Sequence, residues 1–302
     1  MFAAPGWCAA WAARARPGTV GSMTHDANTT TSTSDSPDSS GSGAGAGAGA
    51  GGPLSGRVAV VTGASSGIGA ATARRLAADG AAVAVLGRRQ DRLKDLADEL
   101  GGAGGAAVLP LAVDITDPEA MGEAARAIAS ALGAVDLVVA NAGAMLGSPF
   151  TAGATQEWDR MIDVNLRGLV HTAHAFTDSL LRAAGRGGPA DLVHVGSVAG
   201  HLLYPDWSVY AATKAAVAHL SRNLRAELGP RGVRVRNVEP GVTVTELGAD
   251  MRDEAMKANL SRMRSQLRAL DAEDIADAIG FSVAAPAHVN IAELVVVPVQ
   301  QG

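Results

Sequence analysis

Arg57-Val-Ala-Val-Val-Thr-Gly-Ala-Ser-Ser-Gly-Ile-Gly69 is the stretch whose reading decides the fold. Residues 58–61 form a short apolar run with β-branched side chains, the pattern of a strand buried on both faces. Gly63, Gly67 and Gly69 follow, interleaved with Ser65, Ser66 and Ile68, and then the alanine-rich run Ala70 to Ala78, a strong helix former. A glycine triplet alone is explained equally well by a tight turn. Placed between a strand and a helix, it becomes a dinucleotide-binding hypothesis. Glycines let the backbone approach a pyrophosphate, and the first N–H groups of the helix face its negative charge.

Outward from this unit, strand-like and helix-like segments alternate to the C-terminus. Strand-like runs fall at 82–86, 107–113, 136–140, 191–195, 233–238 and 292–297. Between them lie helical patterns: 89–100, with Leu93, Leu96, Ala97 and Leu100 on one face; a helix opened by Asp117-Pro118; a long helix from Thr155 to Leu181; 208–228; and a helix that Asp271 caps and that stops before Pro286. Repeated β-α units predict an α/β protein: a single-domain Rossmann fold, with a doubly wound seven-stranded parallel sheet and helices on both faces. Its ligand site is expected beyond the C-terminal ends of the strands.

Composition narrows the function. The formal charge is -5 and 47% of residues are hydrophobic, which gives no sign of nucleic-acid binding. No apolar run reaches the ~18 residues that span a bilayer. Cys8 is the only cysteine, so no intrachain disulfide forms and a reducing, cytoplasmic setting fits. No metal site is read. Residues 1–53 are expected to be a disordered low-complexity extension: Ser, Thr and Asp dominate 29–42, and Gly and Ala alternate over 41–52. Arg14 and Arg16 follow the weakly apolar start instead of preceding it, the wrong order for a secretory signal, and Met23 is a second candidate start. The domain is placed at 54–302.

A free adenosine 2′-OH is usually met by a carboxylate after the second strand. Here Gly87, Arg88 and Arg89 stand there instead. An arginine fork suits a phosphate, so NADP(H) is favoured, with Arg88 as the main contact, Arg89 as a second, and NAD(H) as second choice. The plainer reading is two solvated arginines at a helix start. Asp114, after the third strand, either meets the adenine amino group or caps its own turn.

Tyr210 and Lys214 are four apart and share a helix face. A phenol titrates near ~10. A nearby ammonium and a cationic nicotinamide would bring it down, letting Tyr210 exchange a proton while hydride moves. The alternative is a half-buried Tyr beside a surface Lys. Ser197, past the fifth strand, is placed to hold a substrate oxygen. Asn165 lies inside a helix, where Asn is a poor former, and points to a bound water; an exposed Asn is the alternative.

With these residues assembled, the chain resembles a classical short-chain dehydrogenase/reductase from about Leu54 to the C-terminus. The motifs that carry the likeness are 62–69, Asn141-Ala142-Gly143, Asn165, Ser197, 210–214 and Pro240-Gly241. The resemblance implies that Tyr210 is the acid/base, that Lys214 binds the nicotinamide ribose and tunes it, that Ser197 positions the substrate oxygen, and that Asn165 keeps a relay water. It further implies that Asn141 lines the adenine-ribose side. Pro240, Gly241 and Val242 would lie against the nicotinamide, with Thr243 and Thr245 near its carboxamide and phosphates. The NADP-dependent branch that it resembles oxidises 3-hydroxy acids such as serine or reduces small carbonyls. Ala140, Gly196 and His201 depart from the family pattern, and His201 weakens the case for a carboxylate-bearing substrate.

The expected activity is therefore hydride transfer between NADP(H) and a small alcohol/carbonyl pair, acting on CH–OH donors. The rivals are a non-catalytic NADP(H)-sensing protein of the same fold and an NAD-dependent dehydrogenase. The intact set Asn165, Ser197, Tyr210 and Lys214 favours the enzyme. Leu146, Leu203 and Trp207 are expected to line the substrate pocket with Ser197 and Tyr210, and residues 242–270 to form a lid. The outer faces of the long helices are expected to pair copies into a homotetramer, or failing that a dimer.

Overall fold

The computed structural model describes residues 52–102 and 105–301. The expectation of disorder over 1–53 falls, but for its last two residues, outside that range. Seven strands form one sheet: β1 (Val58–Thr62), β2 (Ala82–Gly87), β3 (Val108–Ala112), β4 (Leu137–Ala140), β5 (Asp191–Val195), β6 (Arg234–Pro240) and β7 (Glu293–Val296). Their order is β3-β2-β1-β4-β5-β6-β7, and every neighbouring pair is parallel. The chain winds outward from β1 to β3, then returns to place β4 on the other side of β1. That reversal opens a crevice between the loops following β1 and β4.

Helices cover both faces: α1 (Gly67–Ala78), α2 (Gln90–Gly102), α3 (Pro118–Ala131), α4 (Thr155–Ile162), α5 (Leu169–Gly185), α6 (Ser208–Leu228), α7 (Glu254–Gln266) and α8 (Ala272–Val283). Successive strand residues point to opposite faces. Val61 and Val83 therefore join Leu76, Leu93 and Ile279 in one layer, while Val60 and Leu86 join Ile128, Phe176 and Leu180 in the other. Two buried faces explain why residues 58–61 of β1 are all apolar instead of alternately so. The Asp117 side chain accepts from the N–H groups of Glu119 and Ala120, the cap expected there. Among the described residues, no helix is long and apolar enough to cross a membrane.

Two elements differ from the sequence reading. The long helix from Thr155 is broken by a π-helical turn at Asp163–Gly168, which separates α4 from α5. The stretch 242–270 contains α7, whose polar sequence carries only Met256 and Leu260 as buried residues. Its two ends meet at a bridge between Thr243 and Leu270, so the chain leaves the sheet and returns to the same place.

At the other edge of the sheet, strand starts converge on one carboxylate. Asp191 is 0% exposed and is bonded by Arg57 (2.8 Å), by Arg234 through two bonds of 2.8 Å, and by Arg236. Burial pushes its carboxyl up, but the Arg234 hydrogen bonds and the charges of Arg236 and Arg57 outweigh it and hold it below the usual value. Breaking such a pair strands charge in the interior. Asp191→Asn is expected to destabilise the fold by about 3 kcal/mol or more, because three guanidinium groups lose their only shared anion. Urea unfolding measures this, and an unchanged midpoint would refute it.

Candidate functional site

A cleft of about 680 Å³ lies at the C-terminal ends of the strands. Gly63, Ser65, Ser66, Gly67 and Ile68 line it from the turn after β1, Arg88 and Arg89 from the end of β2, and Asp114 from the end of β3. Asn141, Ala142 and Gly143 line it after β4, and Ser197 after β5. Pro240, Gly241, Val242, Thr243 and Thr245 follow from β6, and Trp207, Tyr210 and Lys214 from around α6. Of the residues expected from the sequence, Gly69, Asn165, Leu146 and Leu203 are not on its walls.

The turn after β1 is fused to the loop after β4. The Asn141 amide donates to the Thr62 carbonyl at 2.9 Å, and the backbone N–H groups of Asn141 and Ala142 donate to the Thr62 hydroxyl at 3.1 and 3.2 Å. Gly63 has φ +67°, and a Cβ there would lie 2.8 Å from Ala142 Cα, so both conformation and contact require glycine. Helix α1 opens at Gly67, and its N-cap Ser66 makes no side-chain capping bond. The helix thus presents uncapped N–H groups where an anion is favoured. These features fit the pyrophosphate of a dinucleotide.

Arg89 grips this turn. Its Nε and Nη2 donate to Ser65 Oγ at 3.0 and 2.8 Å, and Nη2 also donates to Ser66 Oγ at 2.7 Å. Arg88 is exposed at the cleft mouth. Asp114 Oδ1 accepts from the Thr116 N–H (2.9 Å) and hydroxyl (2.8 Å), which holds its carboxyl below the usual range. The turn-capping alternative therefore accounts for one of its oxygens, while the residue also lines the cleft.

On the opposite wall, Tyr210 and Lys214 stand one turn apart on α6. Ser197 lines the same cleft, and its hydroxyl accepts from the Ala199 N–H at 3.1 Å. Lys214 Nζ donates to the Val195 carbonyl at 2.9 Å and lies over the Tyr210 ring, 5.9 Å from its centroid. Burial pushes the phenol up to about 12, with Ser197 opposing it, and pushes the Lys214 ammonium down to about 8. The sequence reading had the ammonium lowering the phenol. In the fold, burial of the phenol dominates; the expectation also invoked the positive charge of a bound nicotinamide.

Asn165 is 1% exposed, which removes the solvent-facing alternative. It sits in the π-helical turn, where the wider winding takes it out of the regular α-helix that it suits poorly. Its Oδ1 accepts from Ala144 N–H (2.7 Å), and its Nδ2 donates to the Ala144 carbonyl (2.9 Å) and the Thr213 hydroxyl (3.0 Å). It lies behind the wall that carries Lys214.

Leu203 and Leu146 need correcting. Leu203 is 96% exposed on the loop before α6, while its neighbours Tyr204 and Trp207 turn into the cleft. Leu146 is buried in the apolar layer beneath, where its N–H meets Met161 Sδ at 3.4 Å. Other wall residues carried no sequence signal. Gln301 accepts from Val242 N–H (2.8 Å) and donates to the Tyr204 hydroxyl (3.0 Å), while Glu246, Arg160 and Arg264 complete the rim. The departures from the family pattern find reasons too. A Cβ at Gly196 would meet Asn237 Oδ1 at 2.5 Å, and His201 turns to Glu239, 3.2 Å away.

The pattern described as short chain dehydrogenase matches residues 57–256. The chain belongs to the short-chain dehydrogenases. It is 39% identical over 248 residues to glycine betaine reductase ATRR of Emericella nidulans, a match covering 82% of this chain but only 19% of that protein. It is 35% identical over 246 residues to an uncharacterized oxidoreductase of Staphylococcus aureus strain N315, covering 82% of this chain and 99% of the relative. Among solved structures it is similar to an alcohol dehydrogenase from the archaeon Thermococcus sibiricus complexed with 5-hydroxy-NADP: 33% identity, 82% and 98% of the two chains, TM-score 0.72. It is also similar to the closed form of a serine dehydrogenase complexed with NADP+: 33% identity, 81% and 96%, TM-score 0.74.

Asn165→Ala removes three bonds at once and leaves the Ala144 backbone groups buried. It is expected to lower stability by about 2 kcal/mol. Urea unfolding reads this, and a midpoint equal to that of the unmodified chain would show that the amide is dispensable to the fold.

Proposed function

We propose that the chain transfers a hydride between NADP(H) and a small alcohol/carbonyl substrate, with Tyr210 as the acid/base. The observation that carries this reading is that Ser197, Tyr210 and Lys214 line the same cleft that presents the glycine turn. NADP(H) held in this cleft would supply or accept the hydride and, when oxidised, would add a positive charge. Ser197 holds the substrate oxygen, and Tyr210 gives that oxygen a proton in reduction and takes one in oxidation. Burial pushes the phenol up to about 12, so without cofactor Tyr210 holds its proton at neutral pH. Lys214 binds a ribose hydroxyl of the cofactor, and Asn165 is a positioning residue that fixes Ala144 and Thr213 next to it.

NADP(H) is supported by Arg88 and Arg89 at the end of β2 and by the NADP complexes of the similar structures. Gly63, Ser65, Ser66, Gly67 and Ile68 would hold the pyrophosphate. The adenosine would lie along Arg88, Asp114 and Asn141, and the nicotinamide along Pro240 to Thr243. Met145, Trp207 and Leu260 make the substrate end apolar, which supports an uncharged carbonyl compound. His201, turned to Glu239, is no partner for a substrate carboxylate. The excursion from Thr243 to Leu270 is a lid: its base is pinned at one bridge, and α7 packs Met256 and Leu260 in one apolar cluster with Trp207 and Tyr210.

Tyr210→Phe is expected to cut turnover on a carbonyl panel at least about 100-fold while NADPH still titrates normally. Wild-type turnover by that variant, or equal use of NADH and NADPH by the unmodified chain, would overturn the corresponding half of the reading.

Ile162 and Val170 are exposed on the α4–α5 layer, and Phe281 and Val295 near the β7 edge. Exposed apolar side chains in these two regions support a homotetramer with two kinds of two-fold interface. Light scattering should return four chains, with Phe281→Asp reducing them to two. A monomer mass for the unmodified chain would end this proposal.

A further inference from the structure

Arg89 stands where a phosphate contact was expected, yet in the fold it already holds a carboxylate. Glu246 Oε2 accepts from Arg89 Nη1 at 2.7 Å, and its Oε1 accepts from Arg92 Nη1 at 2.6 Å. The other edge of the Arg89 guanidinium donates to Ser65 and Ser66. One arginine therefore ties the glycine turn to Glu246, which follows Thr245 at the start of the lid. Glu246 lines the same cleft as Ser65 and Arg88.

Three properties make this tie exchangeable. The side chains of Arg89, Arg92 and Glu246 are 41%, 45% and 50% exposed, so solvent screens the pairs and each is weak. Hydrogen bonds from Arg89 and then Arg92 hold the Glu246 carboxyl down at about 2, so it stays ionised at any physiological pH and protonation does not release it. A phosphate dianion offers three acceptor oxygens and more charge to the same guanidinium forks than a carboxylate does.

We propose that Glu246 is an internal substitute for the 2′-phosphate of NADP(H): it occupies Arg89 and Arg92 and is displaced when that phosphate binds, releasing the first turn of the lid. The inference rests on the NADP(H) reading above. Cofactor choice is then a competition. The arginines favour the phosphorylated ribose, and Glu246 sets how much of that preference is expressed.

The test is calorimetric titration of the full chain with adenosine 2′,5′-bisphosphate and adenosine 5′-monophosphate, which isolate the ribose phosphate from the nicotinamide. Glu246→Gln should bind the bisphosphate about three- to tenfold more tightly and the monophosphate within about twofold of the unmodified chain, the scale expected for removing two exposed ion pairs. If the unmodified chain prefers the bisphosphate but Glu246→Gln leaves that ratio unchanged or lowers it, the substitute role is overturned and the NADP(H) reading stands. If the unmodified chain binds both probes equally, the NADP(H) reading falls and the inference falls with it.

Discussion

Thr62 and Asn141 hold the molecule together at the point where the sheet reverses direction. Loops after β1 and β4 part there toward opposite faces, and the parting creates the crevice. Nothing in sheet geometry alone keeps such walls at a fixed spacing. Three hydrogen bonds do so here: one from the Asn141 amide to the Thr62 carbonyl, and two from successive N–H groups to the Thr62 hydroxyl. Thr62 is 1% exposed, so these bonds form away from competing water. Gly63 must then pass within contact of Ala142, and the start of α1 is aimed at whatever lies between the loops. The glycine turn is thus held by the neighbouring strand's loop as much as by its own sequence.

How much of this was legible in the chain follows from where the partners lie. β1, the glycine turn and α1 are contiguous, and a buried parallel strand announces itself by unbroken apolarity. Tyr210 and Lys214 could be paired because helical spacing is fixed. Asn165 stood out as a poor helix former, but spacing could not reveal that the helix changes its winding around it. Leu203 and Leu146 failed for a different reason: irregular loops have no period, so apolarity there does not tell which way a side chain faces. Gln301 and Glu246 meet partners far along the chain, Val242 and Arg89, and no local pattern encodes such a meeting. Helix α7 escaped notice because a helix that lies over a cleft needs only a narrow apolar stripe.

Charge is handled differently at the two ends of the strands. At the N-terminal edge, Asp191 is surrounded by Arg57, Arg234 and Arg236, a permanent arrangement in which every member depends on the others. At the C-terminal edge, Lys214 is equally buried but bonds a neutral carbonyl, that of Val195. Without an anion beside it, desolvation goes unopposed and the ammonium drops to about 8, while the phenol of Tyr210 rises to about 12. A carboxylate at that place would hold the ammonium charged and would push the phenol higher still, so burial alone accounts for the rise of Tyr210.

The rim adds a third regime. Arg89, Arg92 and Glu246 are half in water, so their pairing is weak enough to be remade, yet Arg89 also binds the serines of the glycine turn directly. Burial therefore grades how firmly each charge is committed: fixed under the sheet, shifted at the wall that carries Tyr210 and Lys214, and weakly paired at the mouth. A protein that put its strongest ion pair at the mouth would have to break it at every turnover. One that left Tyr210 and Lys214 as exposed as the rim would lose the shifts that set them apart from ordinary side chains.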